Sequence, residues 1–332
     1  MSAASAPAPE VHAGMRATGL RGLLRDNPII PLFGLLALLV LAIFVYRPEV
    51  ITTNWVGVIL RAAIPLAILG ACQTITFLTG GIDLSVGAVA SLTGFMVATL
   101  VGSQGLVPAM LIALAAAAIA GIVTGVGIGV FRVHPLIMTL GMSLIILGFA
   151  NVWQRWFVKT GAGVPAFWRD LGSKTFLDVL PWSLLLFIPV AFLIFFMLKR
   201  TGYGRQLYAI GDNPIASRLA GARSWQVIVV LYLISALLAG ITGFLISGLT
   251  NVANVNLADS YVLPSVAAAV IGGTSIMGGR GGFAGTIVGA LILTVLASLL
   301  TVLGFPEPVR QIFFGSIIVI VAAAYTRVTA ES

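Results

Sequence analysis

The chain has 332 residues, of which 59% are hydrophobic and only 8% charged. That leaves too little polar surface to clothe a water-soluble globule, so the fold expected is an all-α, polytopic helical membrane protein. A net charge of +8, carried by basic residues scattered between apolar runs with no stripe of interleaved aromatics, points to membrane orientation and excludes a nucleic-acid surface.

Residues 1–28, rich in Ala and Pro, read as a cytoplasmic N-terminal tail. The first apolar run, 29–46, has spanning length and is followed by Arg47-Pro48-Glu49 without a small-x-small cleavage site, so it is expected to remain as a span. With about 20 apolar residues per crossing as the yardstick, about ten spans are expected. They fall near 29–46, 62–79, 84–102, 107–130, 135–153, 181–198, 224–246, 263–277, 283–303 and 310–326, a transmembrane domain over 29–327. This count puts 11 of the 18 basic residues on one side, most densely between Lys199 and Arg223, and so assigns both termini to the cytoplasm. Between Val50 and Ile82 there is more chain than a crossing needs. Residues 52–61 are read as a short interfacial helix or a tilted extension, with Arg61 near the outer headgroups and Pro65 kinking the entry. Cys72, the single cysteine, excludes an intrachain disulfide and a cysteine metal cluster.

The stretch "FLTGGIDLSVGAVASLTG", Phe77 to Gly94, sets a carboxylate among apolar residues. A charged Asp at the centre of a lone spanning helix costs about 2.5–3.5 kcal/mol, so a helix end is its expected place. Gly80 and Gly81 break one helix and Asp83 caps the next, accepting from the N–H of Ser85 or Val86 at a tight inner turn. A proton or cation site is the alternative for Asp83. It lacks the cluster of intramembrane acids such sites gather.

The loop from Arg155 to Trp182 is expected on the outer side, with a short helix around Pro165 to Leu171 and the charges of Arg155, Lys159, Arg169 and Lys174. The inner loop 199–223 is the most informative soluble segment. Asn213 is a good N-cap, Pro214 suits the first helical position and Gly221 ends a two-turn helix near 214–220, on which Ile215 and Leu219 share a face and Arg218 lies off it. So short a helix needs a surface to dock on, either a groove on a cytoplasmic partner or the lipid surface. A second glycine stretch, "AVIGGTSIMGGRGGFAG", spaces Gly278, Gly279 and Gly285 as Gly80, Gly81 and Gly87 are spaced. No Gly-x-x-x-x-Gly-Lys-Ser/Thr occurs, so the chain is not expected to bind ATP itself. Only two histidines exist, and no nucleophile or acid–base pair at membrane depth suggests an enzyme.

"TGGIDLSVGAV", "AIGDNPIASRLAGA" and "AVIGGTSIMGGRGG", in this order, resemble the permease subunits of bacterial ABC importers of the ribose, arabinose, xylose and galactofuranose type, over about 30–326. The chain departs from that pattern at Cys72-Gln73-Thr74 and at Tyr261 to Val266. The resemblance implies an inner-membrane permease that passes a monosaccharide and has no cofactor of its own. Its implied partners are a second permease, identical or not, cytoplasmic ATPase subunits that bind ATP and Mg, a periplasmic sugar-binding protein, and membrane lipid. It makes Gly211, Asp212, Asn213, Pro214, Ile215, Arg218, Leu219 and Gly221 the ATPase-coupling segment. Arg155, Lys159, Arg169 and Lys174 become a docking platform for the binding protein, with a solvated connector between two spans as the alternative. A path for a neutral sugar calls for uncharged polar groups, and Gln73, Thr76, Asn151, Asn251, Asn254 and Asn256 are the candidates, each alternatively a helix–helix hydrogen bond or a loop residue. Gly80, Gly81, Asp83, Gly278 and Gly279 are assigned to helix caps and turns. The rival expectation is a self-powered secondary transporter or channel.

Overall fold

A computed structural model of the chain describes residues 29–157, 163–176 and 179–330, the side chains of 29, 318 and 320–330 excepted. The expected tail and Lys159 lie outside the described residues. The helices in chain order are α1 (Ile29–Tyr46), α2 (Thr53–Phe77), α3 (Val86–Gln104), α4 (Leu106–Gly129), α5 (Pro135–Phe157), α6 (Ala166–Ser173), α7 (Leu184–Arg200), α8 (Gly202–Asp212), α9 (Pro214–Leu219), α10 (Ser224–Thr250), α11 (Val262–Ile271), α12 (Phe283–Val302) and α13 (Glu307–Ala330). The strands described are β1 (Thr175–Phe176) and β2 (Leu180–Pro181), paired antiparallel with Thr175 opposite Pro181.

The protein is an all-α, multi-pass membrane protein. Among the described residues six helices, α2, α3, α4, α5, α10 and α12, are long and apolar enough to cross a bilayer, and α7 with α8, bent by 67°, makes a seventh if taken as one span. Of the three other expected spans, α1 and α11 are shorter apolar helices, and α13 carries the third, much of it with side chains outside the described residues. Helix α11 stops at Ile271, short of the expected 277, where Gly272 and Gly273 end it.

Helix α2 is the centre. Thr52 Oγ1 accepts from the Trp55 N–H at 3.1 Å and starts it. Residues 53–61 are thus the continuous first turns of α2, the extension reading, and Pro65 is carried inside one 25-residue helix. Every residue from Ala63 to Phe77 is buried, as expected of a helix apolar on all sides. Helix α10 packs against α2, α3, α4 and α6, while α12 packs against α1, α2 and α11. Gly121 and Gly125 of α4 lie against the backbone of Tyr232 and Val229, so α4 and α10 approach closely through small residues.

The end of the bundle that carries Lys199 to Arg223 is called inner here, and the opposite end outer. At the inner end the chain reverses twice, after α2 and after α11. Gly80, with φ +75°, turns the first reversal, and Gly278 (φ +98°) and Gly279 (φ +71°) turn the second. The two turns meet: the Gly279 N–H donates to the Leu78 carbonyl at 3.0 Å.

The inner loop holds more structure than its sequence pattern suggests. Besides α9 it contains the eleven-residue helix α8, started by Thr201, whose hydroxyl accepts from the Gly204 N–H at 3.1 Å. Leu207 and Ile210 are buried beneath it. Two anchoring residues spaced three apart make too weak a period to read from sequence, and docking on the bundle is what stabilises the helix.

Candidate translocation and coupling sites

Asp83 is 2% exposed and lies within the bundle, not at its inner surface. After Gly80 the chain runs back between the helices without regular structure, and α3 begins only at Val86. Asp83 Oδ1 accepts from the Ser85 N–H at 3.0 Å and the Ser85 hydroxyl at 2.6 Å. Oδ2 accepts from the Ser235 hydroxyl at 2.7 Å, and Ser235 sits eleven residues along α10 from its first residue, Ser224, about 16 Å at 1.5 Å per residue. The N-cap of α3 is Ser85, with no side-chain cap bond, so Asp83 does not cap the helix as expected; it braces the turn before it and ties the re-entrant segment to α10. Three donors stand where a counter-charge is missing, and hydrogen bonds to charged groups contribute about 1.5–3 kcal/mol each.

Gln73 satisfies the backbone of the same segment. Its Nε2 donates to the Asp83 carbonyl at 2.7 Å and, more weakly, to the Ser265 hydroxyl at 3.4 Å, while its Oε1 accepts from the Asp83 N–H at 3.4 Å. Non-helical backbone inside a membrane survives only with such partners. Gln73 is fully buried with its amide bonded to both backbone groups of Asp83, so a clamp is the role its geometry suits. Thr76 turns its hydroxyl back to the Cys72 and Gln73 carbonyls of α2, both at 3.0 Å.

The other polar candidates are dispersed. Asn151 is exposed on α5 and donates to the Leu147 carbonyl at 2.8 Å. Asn251 takes a left-handed conformation, φ 54°, and closes α10. Asn254 accepts from the Asn256 N–H at 3.0 Å. Asn256 lines a cavity of about 430 Å³ at the outer end, together with Asp259, Ser260, Gln311, Leu263, Pro264 and Phe314. Asp259, Ser260 and Gln311 are functional candidates that sequence reasoning missed. The run Asn254 to Ser260, unusually polar just before a short apolar helix, is the signal that points to them.

At the inner end, Asn213 Oδ1 accepts from the Ile215 and Ala216 N–H groups at 3.1 and 2.9 Å and so caps α9. Gly221, φ +88°, ends the segment. Ile215 is 66% and Leu219 86% exposed, an unpartnered apolar pair on a capped helix, and Arg218 folds back with Nε on the Pro214 carbonyl at 3.1 Å. Asp212 is exposed and borders Gly279. Gly211 sits where a Cβ would stand 1.8 Å from the Leu78 carbonyl oxygen and 2.5 Å from the Gly279 nitrogen. The coupling segment is thus rooted where the two inner reversals touch. Tyr203 and Tyr208 add anchors, their hydroxyls donating to the Val227 and Gly281 carbonyls at 3.0 Å each.

At the outer end α6 lies flat on α10. Trp168 is buried against Phe244 with ring centroids 5.2 Å apart, and Gly172 and Gly248 permit backbone contact between the two helices. Arg155 and Arg169 are exposed. Lys174 is already engaged, with Nζ 2.9 Å from Asp170 Oδ2 and 5.7 Å from the centroid of the Trp182 ring. Arg61 donates to the Ser173 carbonyl and ties α2 to this outer loop.

A family model described as the permease component of branched-chain amino acid transport systems matches residues 56–322. The ribose import permease protein of Escherichia coli (strain K12) is 34% identical over 293 residues, 86% of this chain and 90% of that protein. The fructose import permease protein of Rhizobium meliloti is 29% identical over 276 residues, 80% of this chain and 76% of that protein. The galactofuranose transporter permease protein of Escherichia coli (strain K12) is 30% identical over 256 residues, 76% of this chain and 74% of that protein. No solved structure matches.

Proposed function

The chain belongs to the family of branched-chain amino acid transport system permease components, and on that premise we propose that it is the membrane subunit of an ATP-driven importer whose cargo is a monosaccharide. The observation that carries this reading is the exposed Ile215–Leu219 pair on a capped helix rooted in the bundle through Gly211. An amphipathic turn of this kind fits a groove on a partner. That partner is a cytoplasmic ATPase, which binds ATP and its magnesium ion, while this chain does no chemistry. Closure of the ATPase pair moves α9, α9 moves α8, and the Gly211 contact passes the shift to both inner reversals. Asp83 and Gln73 then carry it to α10 and α3, rocking the bundle between inward-open and outward-open states.

The relatives' ribose, fructose and galactofuranose cargoes support a sugar. So does the outer cavity. Asn256, Ser260 and Gln311 offer neutral donors and acceptors to hydroxyl groups, with Asp259 as an acceptor and Phe314 as an apolar wall. The cavity carries no cation that a cargo carboxylate would require. A periplasmic binding protein delivers the sugar onto the platform around Arg155, Lys159 and Arg169, a second permease completes the path, and the assembly sits in a bacterial inner membrane with both termini in the cytoplasm.

Leu219→Asp puts a charge on the docking face. It is expected to abolish ATPase association and transport while the permease inserts at the normal level. Transport and cargo-stimulated ATP hydrolysis that survive this change would remove α9 as the point where energy enters.

A further inference from the structure

A cavity of about 660 Å³ opens at the inner end between α4, α9 and α10, and three arginines, Arg132, Arg218 and Arg223, line it. No carboxylate lines it, and none of the three is in an ion pair among the described residues. Ser224, also on its wall, has a buried hydroxyl with no hydrogen-bond partner. Three cations lining one space match the oxyanion of a phosphate.

The rest of the wall says which phosphate. Ile128, Val130 and Ile228 form an apolar side, and next to it Phe131 is 74% exposed on the bundle surface. Trp225, half exposed on the rim at the first turn of α10, stands where an indole is expected at headgroup level. Ile215 and Leu219, the pair offered to the ATPase, do not line this cavity. We propose that the cavity is a binding site for the headgroup of an anionic phospholipid, with the phosphate held by Arg132, Arg218 and Arg223 and the acyl chains lying along the Ile128–Ile228 side. Basic pockets between helices at the cytoplasmic face of membrane proteins hold anionic headgroups by the same physics. The assignment rests on the membrane setting and these side chains, and is independent of the cargo. Because Arg218 belongs to α9, the lipid anchors the back of that helix while its front stays free.

The test titrates the delipidated, detergent-purified full chain with phosphatidylglycerol and separately with phosphatidylcholine, and reads bound lipid by native mass spectrometry. Phosphatidylglycerol is expected to bind the tighter of the two. R132Q/R223Q is expected to weaken it on the order of tenfold or more, each arginine near an anionic headgroup adding to affinity, while R132K/R223K keeps most of it. Inorganic phosphate alone is expected neither to bind at lipid concentrations nor to displace the lipid. Equal affinity for the two lipids, a double-glutamine variant that keeps the preference, or phosphate binding with the same arginine dependence would each overturn the lipid assignment. Loss of the ATPase subunit from that variant with lipid binding intact would reassign the cavity to the protein partner and overturn it equally.

Discussion

Asp83 shows how one side chain sets the depth of a segment. Its acceptor atoms are divided between its own turn, through Ser85, and a helix more than a hundred residues away, through Ser235. An Asn in its place keeps one carbonyl oxygen for the Ser85 donors, and its amide donates to Ser235, whose hydroxyl has only to reverse. An Ala leaves the Ser235 and Ser85 hydroxyls without their acceptor in a dry interior, at a cost of about 1–3 kcal/mol for each group left unpaired. Asp83→Asn is therefore expected to retain most folded yield and transport. Asp83→Ala is expected to lower the unfolding temperature of the detergent-purified protein and its yield. A proton-coupling carboxylate gives a different ranking, with Asn as inactive as Ala, and thermal unfolding beside vesicle transport of both variants separates the two.

At the scale of elements, the junction of α8 with the two inner reversals leaves no room for a side chain at Gly211. The backbone at Gly211 meets the Leu78 carbonyl and the Gly279 amide, the pair that itself forms the hydrogen bond joining the reversals. Gly211→Ala requires the three segments to separate, and overpacking of a tight contact costs about 1–3 kcal/mol. Since α8 is held only at this end of the bundle, the helices of the bundle are expected to insert normally. Cargo-stimulated ATP hydrolysis should fall severalfold while basal hydrolysis by the partner persists. Gly202→Ala in the same helix is the control, because its Cβ would meet nothing nearer than the Arg205 Nη2 at 3.6 Å. Equal loss in both variants would mean that helix propensity, and not the junction, controls coupling.

For the whole molecule, the apolar runs were legible because length and hydropathy alone decide what enters a bilayer, and the starts of α4, α5, α10 and α12 fall within a residue of their expected positions. Asn213 was legible as the cap of α9 for a local reason, since its acceptor and donors lie within three residues. What escaped was non-local. Nothing near Asp83 announces that Ser235 and, through Gln73, Ser265 hold its turn inside the bundle, because both serines sit in apolar runs with no pattern of their own. Helix α8 escaped because Leu207 and Ile210 gain their burial from the bundle. The outer cavity joins Asn256 to Gln311 across two elements, so only the folded chain brings its candidates together.

On the proposed function, this chain passes its cargo only when a separate ATPase drives it through α9. Uptake of labelled ribose, fructose and galactofuranose into sealed vesicles tests it most directly. The vesicles carry the chain alone in one arm, and in the other the chain with the ATPase subunit that co-purifies with it, with binding protein added to both. No uptake is expected by the chain alone with or without an imposed proton gradient, and ATP-dependent uptake of a sugar is expected once the ATPase is present. Accumulation by the chain alone under a proton gradient, unaffected by ATP, would contradict it.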